Sequence, residues 1–108
     1  MKIFLDDNRP TPEGWLRAYW PDEVISLLRT GQVEAVSLDH DLGDDRHGTG
    51  YDVIVWIEHA VALHGFEPPQ IFVHSANPAA AQRMLAGVAS IATLHAASEH
   101  LKNRVERK

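Results

Sequence analysis

Apolar residues in this chain come in short runs, and the runs alternate between a strand-like and a helix-like period. Ile3-Phe4-Leu5, preceded by Lys2, is a compact apolar run that ends on Asp6-Asp7 and suits a buried strand over 2–5. Asn8 to Gly14 is broken by two prolines and a glycine and reads as a loop. Trp15 to Trp20 alternates, with Trp15, Arg17 and Tyr19 on one face, and predicts a second short strand. Pro21-Asp22-Glu23 then opens a helix, because proline tolerates the first turn and acids there complement the helix dipole. Val24, Leu27 and Leu28 form its apolar stripe, and Gly31 is its natural stop. Residues 34–38 make the next strand, which runs straight into Asp39-His40-Asp41.

Residues 43–50 carry three glycines and no apolar side chain, so a mobile loop without regular structure is expected. From Tyr51 to His64 the period is helical, with Val53, Ile54, Ile57 and Val61 on one face. Residues 70–73 form a further strand that stops at His74-Ser75-Ala76-Asn77, and a last helix starts near Pro78 with Met84, Leu85, Val88 and Ile91 as its stripe. Two readings of its second half stand: one helix through Lys102, or a break near Gly87-Val88. Apolar strands alternating with amphipathic helices imply a single α/β domain over 1–108, a mostly parallel sheet with helices packed on it by right-handed crossovers. Residues 95–108 form a C-terminal helical extension. Trp15, Trp20 and Trp56 read as core rather than as a stacking platform.

Composition narrows the chemistry. The 108 residues leave room for one core. The absence of cysteine removes disulfides, thiolate metal sites and cysteine nucleophiles together. A net charge of −5 argues against a broad DNA-coating face. No apolar run approaches the roughly 18–20 residues of a membrane span, and the N-terminus does not read as a signal peptide. A cytoplasmic protein with no membrane partner is expected. The charge is also uneven. Residues 1–101 hold 6 bases and 14 acids, a balance of −8, because Lys102, Arg104, Arg107 and Lys108 crowd the end.

Three strands end in polar clusters: Asp6-Asp7, Asp39-His40-Asp41 and His74-Ser75-Ala76-Asn77. In an open parallel sheet the carboxyl ends of the strands share one edge, and ligands bind there. Segments about 33 residues apart in sequence therefore converge. Clustered carboxylates repel one another unless a cation joins them. Hard oxygen donors without thiolate suit Mg²⁺, Mn²⁺ or Ca²⁺, and His40 and His74 shift the preference toward Mn²⁺ or a heavier ion. Such an ion implies a phosphate-bearing ligand, which Ser75, Asn77 and the backbone of the last helix's first turn could hold; Arg9 and the loop residues Arg46 or His47 are the nearest cations. Asp44 and Asp45 read as loop solvation. The plainer readings are a solvated turn for Asp6-Asp7, packing for His40 and His74, and helix capping for Ser75 and Asn77.

These residues carry a family resemblance. The layout resembles the receiver domain of two-component response regulators, a flavodoxin-like fold: an acid pair after the first strand (Asp6-Asp7), an aspartate ending the third (Asp39), and a Ser-Ala pair after the fourth (Ser75-Ala76). The resemblance implies strand order 2-1-3-4. The first receiver helix is replaced by the Asn8–Trp15 loop, and the strand ending in Lys-Pro has no counterpart. FLDDNRPTPEGW with SLDHDLGDD, GTGYDV and VHSANP more specifically resembles the cyclic-phosphate-processing receiver family, over roughly residues 1–94. That likeness implies a metal-dependent phosphoesterase acting on a cyclic phosphate: a small ligand, a nucleotide or an RNA end. Asp6, Asp7, Asp39 and Asp41 would hold Mg²⁺ or Mn²⁺. Asp39, His40 and His74 would be catalytic, the two histidines as general base and acid. Ser75, Asn77 and Arg9 would bind the phosphate. The alternatives are a phosphoacceptor or pseudo-receiver switch with Asp39 as acceptor, and a non-catalytic module that binds a cyclic nucleotide.

Overall fold

The computed structural model describes residues 1–106, with side chains through residue 104. Strands β1 (Lys2–Leu5), β2 (Leu16–Ala18), β3 (Ala35–Leu38) and β4 (Gln70–Val73) alternate with helices α1 (Pro21–Leu28), α2 (Gly50–His64) and α3 (Pro78–Glu106). The four strands form one sheet in the order β2-β1-β3-β4, parallel throughout. This is the α/β receiver-like architecture that the resemblance implied. Arg107 and Lys108, half of the basic C-terminal cluster, lie outside the described residues.

β2 is shorter than its alternating pattern. The Tyr19 and Trp20 amides both donate to Glu23 Oε1, at 3.0 Å, so the chain leaves the sheet to cap α1. α3 runs unbroken through Gly87, which answers the question the sequence left open. A Cβ at Gly87 would lie 2.5 Å from Ile54 Cγ2, so the missing side chain lets α3 seat closely on α2. The 43–50 loop is more regular than its composition suggests, with a 3₁₀ turn over Asp45–His47. Asp44 organises it, its carboxylate accepting from the Arg46 amide at 3.0 Å and approaching His47 Nδ1 at 3.1 Å. The Arg46 amide and guanidinium, with His47, hold that carboxyl below its usual range. His47 also stacks at a tilt on Trp20, 4.7 Å between centroids.

The register divides the sheet into two faces. Ile3, Leu5, Val36 and Leu38 point to one side, where they join Val24 and Leu28 of α1, Val53, Ile54, Ile57 and Val61 of α2, and Met84 and Ile91 of α3 in one buried core. The topology accounts for this sidedness. The β2-α1-β3 and β3-α2-β4 crossovers both step the same way across the sheet, so right-handedness puts both helices on one face. α3 packs on α2 and joins the same core. The β1–β2 connection steps the other way and contains no helix. Among the described residues, the opposite face therefore has no helix over it. Its row across the sheet is Arg17, Phe4, Ser37 and Phe72. Trp15 comes from the loop to meet Phe4 and Phe72 edge-on, at 6.4 and 6.3 Å. Trp15 is thus no part of the helix-side core, contrary to the expectation from its hydrophobicity, whereas Trp20 and Trp56 pack against that core.

Candidate functional site

The site is built by extending three strands one residue past their ends. The Asp6 amide donates to the Ala18 carbonyl (3.1 Å), the Asp39 amide to Leu5 (3.0 Å) and the His74 amide to Leu38 (3.0 Å). Leu5, Leu38 and Val73 face the helices, so strand alternation turns the next residues, Asp6, Asp39 and His74, to the other side. Their ligand atoms lie within 4.8 Å of one another.

Asp6 is the most enclosed of the three, 1% exposed. Oδ1 accepts from the Asn8 and Arg9 amides at 2.8 and 2.9 Å. Oδ2 lies 3.0 Å from His74 Nε2 and 3.9 Å from Arg9 Nε. Burial alone would raise this carboxyl, but the two amides and His74 together outweigh it and hold the group below its ordinary value. Asp39 goes the other way. Burial and then the charge of Asp6 push it up, against the opposing pull of the His40 amide, which donates to Oδ1 at 2.9 Å. The His74 ring lies flat on Phe4, 4.4 Å between centroids and 1° from parallel. Its Nδ1 sits 2.7 Å from Ser37 Oγ.

Beside this trio is a cavity of about 340 Å³ lined by Asp6, Asp7, Asn8, Arg9, Asp39, Asp41 and Ala76. Arg9 is the cation in that lining, and its Nη1 donates to the His74 carbonyl. The structure thus brings Asp6, Asp7, Asp39, Asp41 and Arg9 to one cavity, with His74 against its most buried acid. His40 turns toward its neighbour Asp41, Nδ1 to Oδ1 2.8 Å, and is not in the lining. Ser75 and Asn77 are engaged at the start of α3: the Asn77 amide donates to Ser75 Oγ (3.1 Å) and the Ala80 amide to Asn77 Oδ1 (3.2 Å). Ala76, between them, reaches the cavity. Gly50 packs directly on the backbone after β3: its amide donates to the His40 carbonyl, and a Cβ there would lie 1.8 Å from the Asp39 carbonyl oxygen. The sequence reading missed Ser37 and Asn8. The available signal for Ser37 was a hydroxyl in an otherwise apolar strand, two residues before Asp39 and so on its face.

A four-stranded parallel sheet in this order, with acids closing β1 and β3 at a common cavity, defines a receiver-like domain. The family model for the cyclic-phosphate processing receiver domain matches residues 1–90, and the chain belongs to that family. The match ends within α3. No curated protein and no solved structure matches the chain. Among the described residues, no helix is long and apolar enough to cross a membrane.

Proposed function

We propose that this domain hydrolyses a cyclic phosphodiester with the help of a divalent ion held by Asp6 and Asp39, with Asp7 and Asp41 beside it. The observation that carries the reading is the convergence of two carboxylates and an imidazole within 4.8 Å. The donor set fits Mg²⁺ or Mn²⁺: hard carboxylate oxygens and no sulfur, with the His74 imidazole beside Asp6 left to carry a proton. The raised Asp39 carboxyl supports it too, since two close carboxylates are costly until a cation joins them. Such an ion supplies charge stabilisation at the phosphoryl oxygens.

The protein's own residues do the rest. Arg9 points a cation into the cavity and orients the phosphate, with Ser75, Ala76 and Asn77 at the start of α3 flanking it. Asp41, which lines the cavity with His40 Nδ1 2.8 Å behind its carboxylate, takes a proton from the attacking water, and His40 supports it from outside the lining. As the new P–O bond forms and the ring P–O bond breaks, His74 gives its Nε2 proton to the departing alkoxide. The product is a phosphomonoester. The substrate is a small cyclic phosphate, a cyclic nucleotide or an RNA end.

Incubation with Mg²⁺ or Mn²⁺ and a panel of 2′,3′- and 3′,5′-cyclic phosphates, followed by ³¹P NMR, tests this. Turnover is expected, with loss in Asp39→Asn and a fall of about 10²–10⁴-fold in His74→Ala. Binding without turnover of any panel member would replace the enzyme by a binding module. Acetyl-phosphate labelling that Asp39→Asn abolishes would make Asp39 an acceptor.

A further inference from the structure

We infer that the helix-free face of the sheet is a platform for a single-stranded RNA end, with Phe72 and Trp15 stacking its bases and Lys2 and Arg17 meeting its backbone. The inference rests on the reading above, which puts a cyclic phosphate in the cavity at one end of that face. Strand alternation and register lay the face out in three rows. Lys2, Ala35 and Gln70 form the first, and Arg17, Phe4, Ser37 and Phe72 the second. Asp6, Asp39 and His74, one residue past the strand ends, form the third. The candidate site is therefore the last row of this face and continuous with it.

The first two rows differ in charge from the rest of the molecule. The chain carries a net −5, yet these rows hold two cations and no acid. Among the described residues, no carboxylate forms a salt bridge with Lys2 or Arg17. Both lie against rings instead: Lys2 Nζ is 5.8 Å from the centroid of Trp15, and Arg17 Cζ is 5.3 Å from that of Tyr19 and 6.0 Å from that of Phe4. Phe72 is 43% exposed, and its edge-on contact helps to fix the half-buried Trp15 ring. Exposed, pre-positioned rings flanked by free cations suit nucleic acid, because every base has a face to stack and every linkage an anion. Aromatics carried on a sheet face bind single-stranded RNA in this way. An apolar protein partner would use the rings but not the acid-free flanks. The spacing favours a chain over a mononucleotide. Phe72 lies two residues before His74, about 6.6 Å along the strand, within reach of the base whose phosphate occupies the cavity. Lys2 lies four residues before Asp6, about 13 Å away. A mononucleotide has its one phosphate in the cavity and leaves Lys2 without an anion. A preceding nucleotide supplies it.

Fluorescence anisotropy with a 5′-fluorescein hexa-adenylate ending in a 2′,3′-cyclic phosphate, in EDTA, reads binding apart from the reaction. Saturable binding is expected, with unlabelled hexamer competing better than adenosine 2′,3′-cyclic phosphate. Phe72→Ala should weaken binding by about 5- to 150-fold, the scale of one stacked base. Phe72→Leu, which keeps apolar surface without a ring, should lose nearly as much. Lys2→Ala should reduce the slope of log Kd against log salt by about 0.7, one phosphate contact on a single strand. Both side chains are exposed, and circular dichroism checks that the variants fold. Hexamer binding unchanged in Phe72→Ala and Phe72→Leu would overturn the inference, as would a mononucleotide that competes as well as the hexamer. A dimer in sedimentation that Phe72→Ala abolishes, with no RNA bound, would give the face to a second copy and overturn it too. Hexamer binding without turnover of any cyclic phosphate would count against the proposed hydrolysis and leave the platform standing. Turnover without hexamer binding would do the reverse.

Discussion

Gly50→Ala sets two effects against each other, and the structure decides the sign. Gly50 is the first residue of α2, where replacing glycine by alanine ordinarily helps a helix by up to about 1 kcal/mol. Here the added Cβ would sit 1.8 Å from the Asp39 carbonyl oxygen and 3.0 Å from Met84 Cε. Real Cβ contacts essentially never fall below 3.0 Å, so the gap must open by about 1.2 Å. The obstructing atom is backbone, and Asp39 is tied in by its amide to Leu5, so no flexible side chain can yield. Overpacking of this kind costs about 1–3 kcal/mol, occasionally more. The propensity gain is smaller than that and is further reduced at a helix end. A net loss of about 1 kcal/mol lowers Tm by about 4–8 °C in a domain of this size. The displacement falls on Asp39, and a misplacement of about 1 Å at a reacting centre can cost about 10²-fold in rate. Thermal unfolding by circular dichroism and the Asp39 and His40 amide shifts measure both effects. A Gly50→Ala protein that melts at or above wild type with unmoved Asp39 and His40 resonances would refute the reasoning.

The two central carboxylates, buried Asp6 and half-buried Asp39, should respond oppositely to substitution. Asp39 is raised by burial and by Asp6, so the folded state holds its proton more tightly than the unfolded chain. Stability is therefore lost as pH climbs from the unfolded value of 3.8 through the raised folded value. Without metal, Asp39→Asn should melt higher than wild type at pH 7, the difference vanishing below pH 3.8. Mg²⁺ at about 100 times its Kd should then stabilise wild type by about 2.7 kcal/mol and the variant far less, as thermal shift with and without EDTA would read. Asp6 is lowered, so its ionised form adds stability above 3.8 that disappears as pH falls through its folded value. Asp6→Ala also leaves the Asn8 and Arg9 amides and His74 without their acceptor. Its urea midpoint should lie below wild type at pH 7 and approach it in acid.

The sheet and the convergence of its ends were legible because each signal was local. Apolar runs that stop on Asp6, Asp39 and His74 mark both a strand and its terminus, and parallel pairing brings such termini to one edge. The division of labour within the clusters was not legible. Alternation past the last strand residue decides which side chain meets which, so His74 lies on Asp6 while His40 turns to Asp41. Ser75 and Asn77 read equally well as ligands and as helix caps, and the structure engages both in the cap. Trp15 was misplaced because hydrophobicity says that a residue is covered, not which face covers it. Whether the last helix breaks at Gly87 stayed open in the sequence because the partner of Gly87, Ile54, is far away along the chain.

The face of the sheet without a helix gives β2 little support. It is three residues long, lies at an edge, has exposed Leu16 and pairs with β1 alone. In hydrogen-exchange language it is expected to belong to a weakly protected unit of the domain, one that opens without unfolding the whole core. Yet the Asp6 amide hangs on the Ala18 carbonyl, and Arg17 Nη1 donates to the Asp6 carbonyl at 2.7 Å. The most buried acid of the site is therefore anchored to a short edge strand. A partial opening of β2 is expected to disturb Asp6 before the domain melts, and a ligand gripping Asp6 is expected to slow amide exchange across Leu16–Ala18.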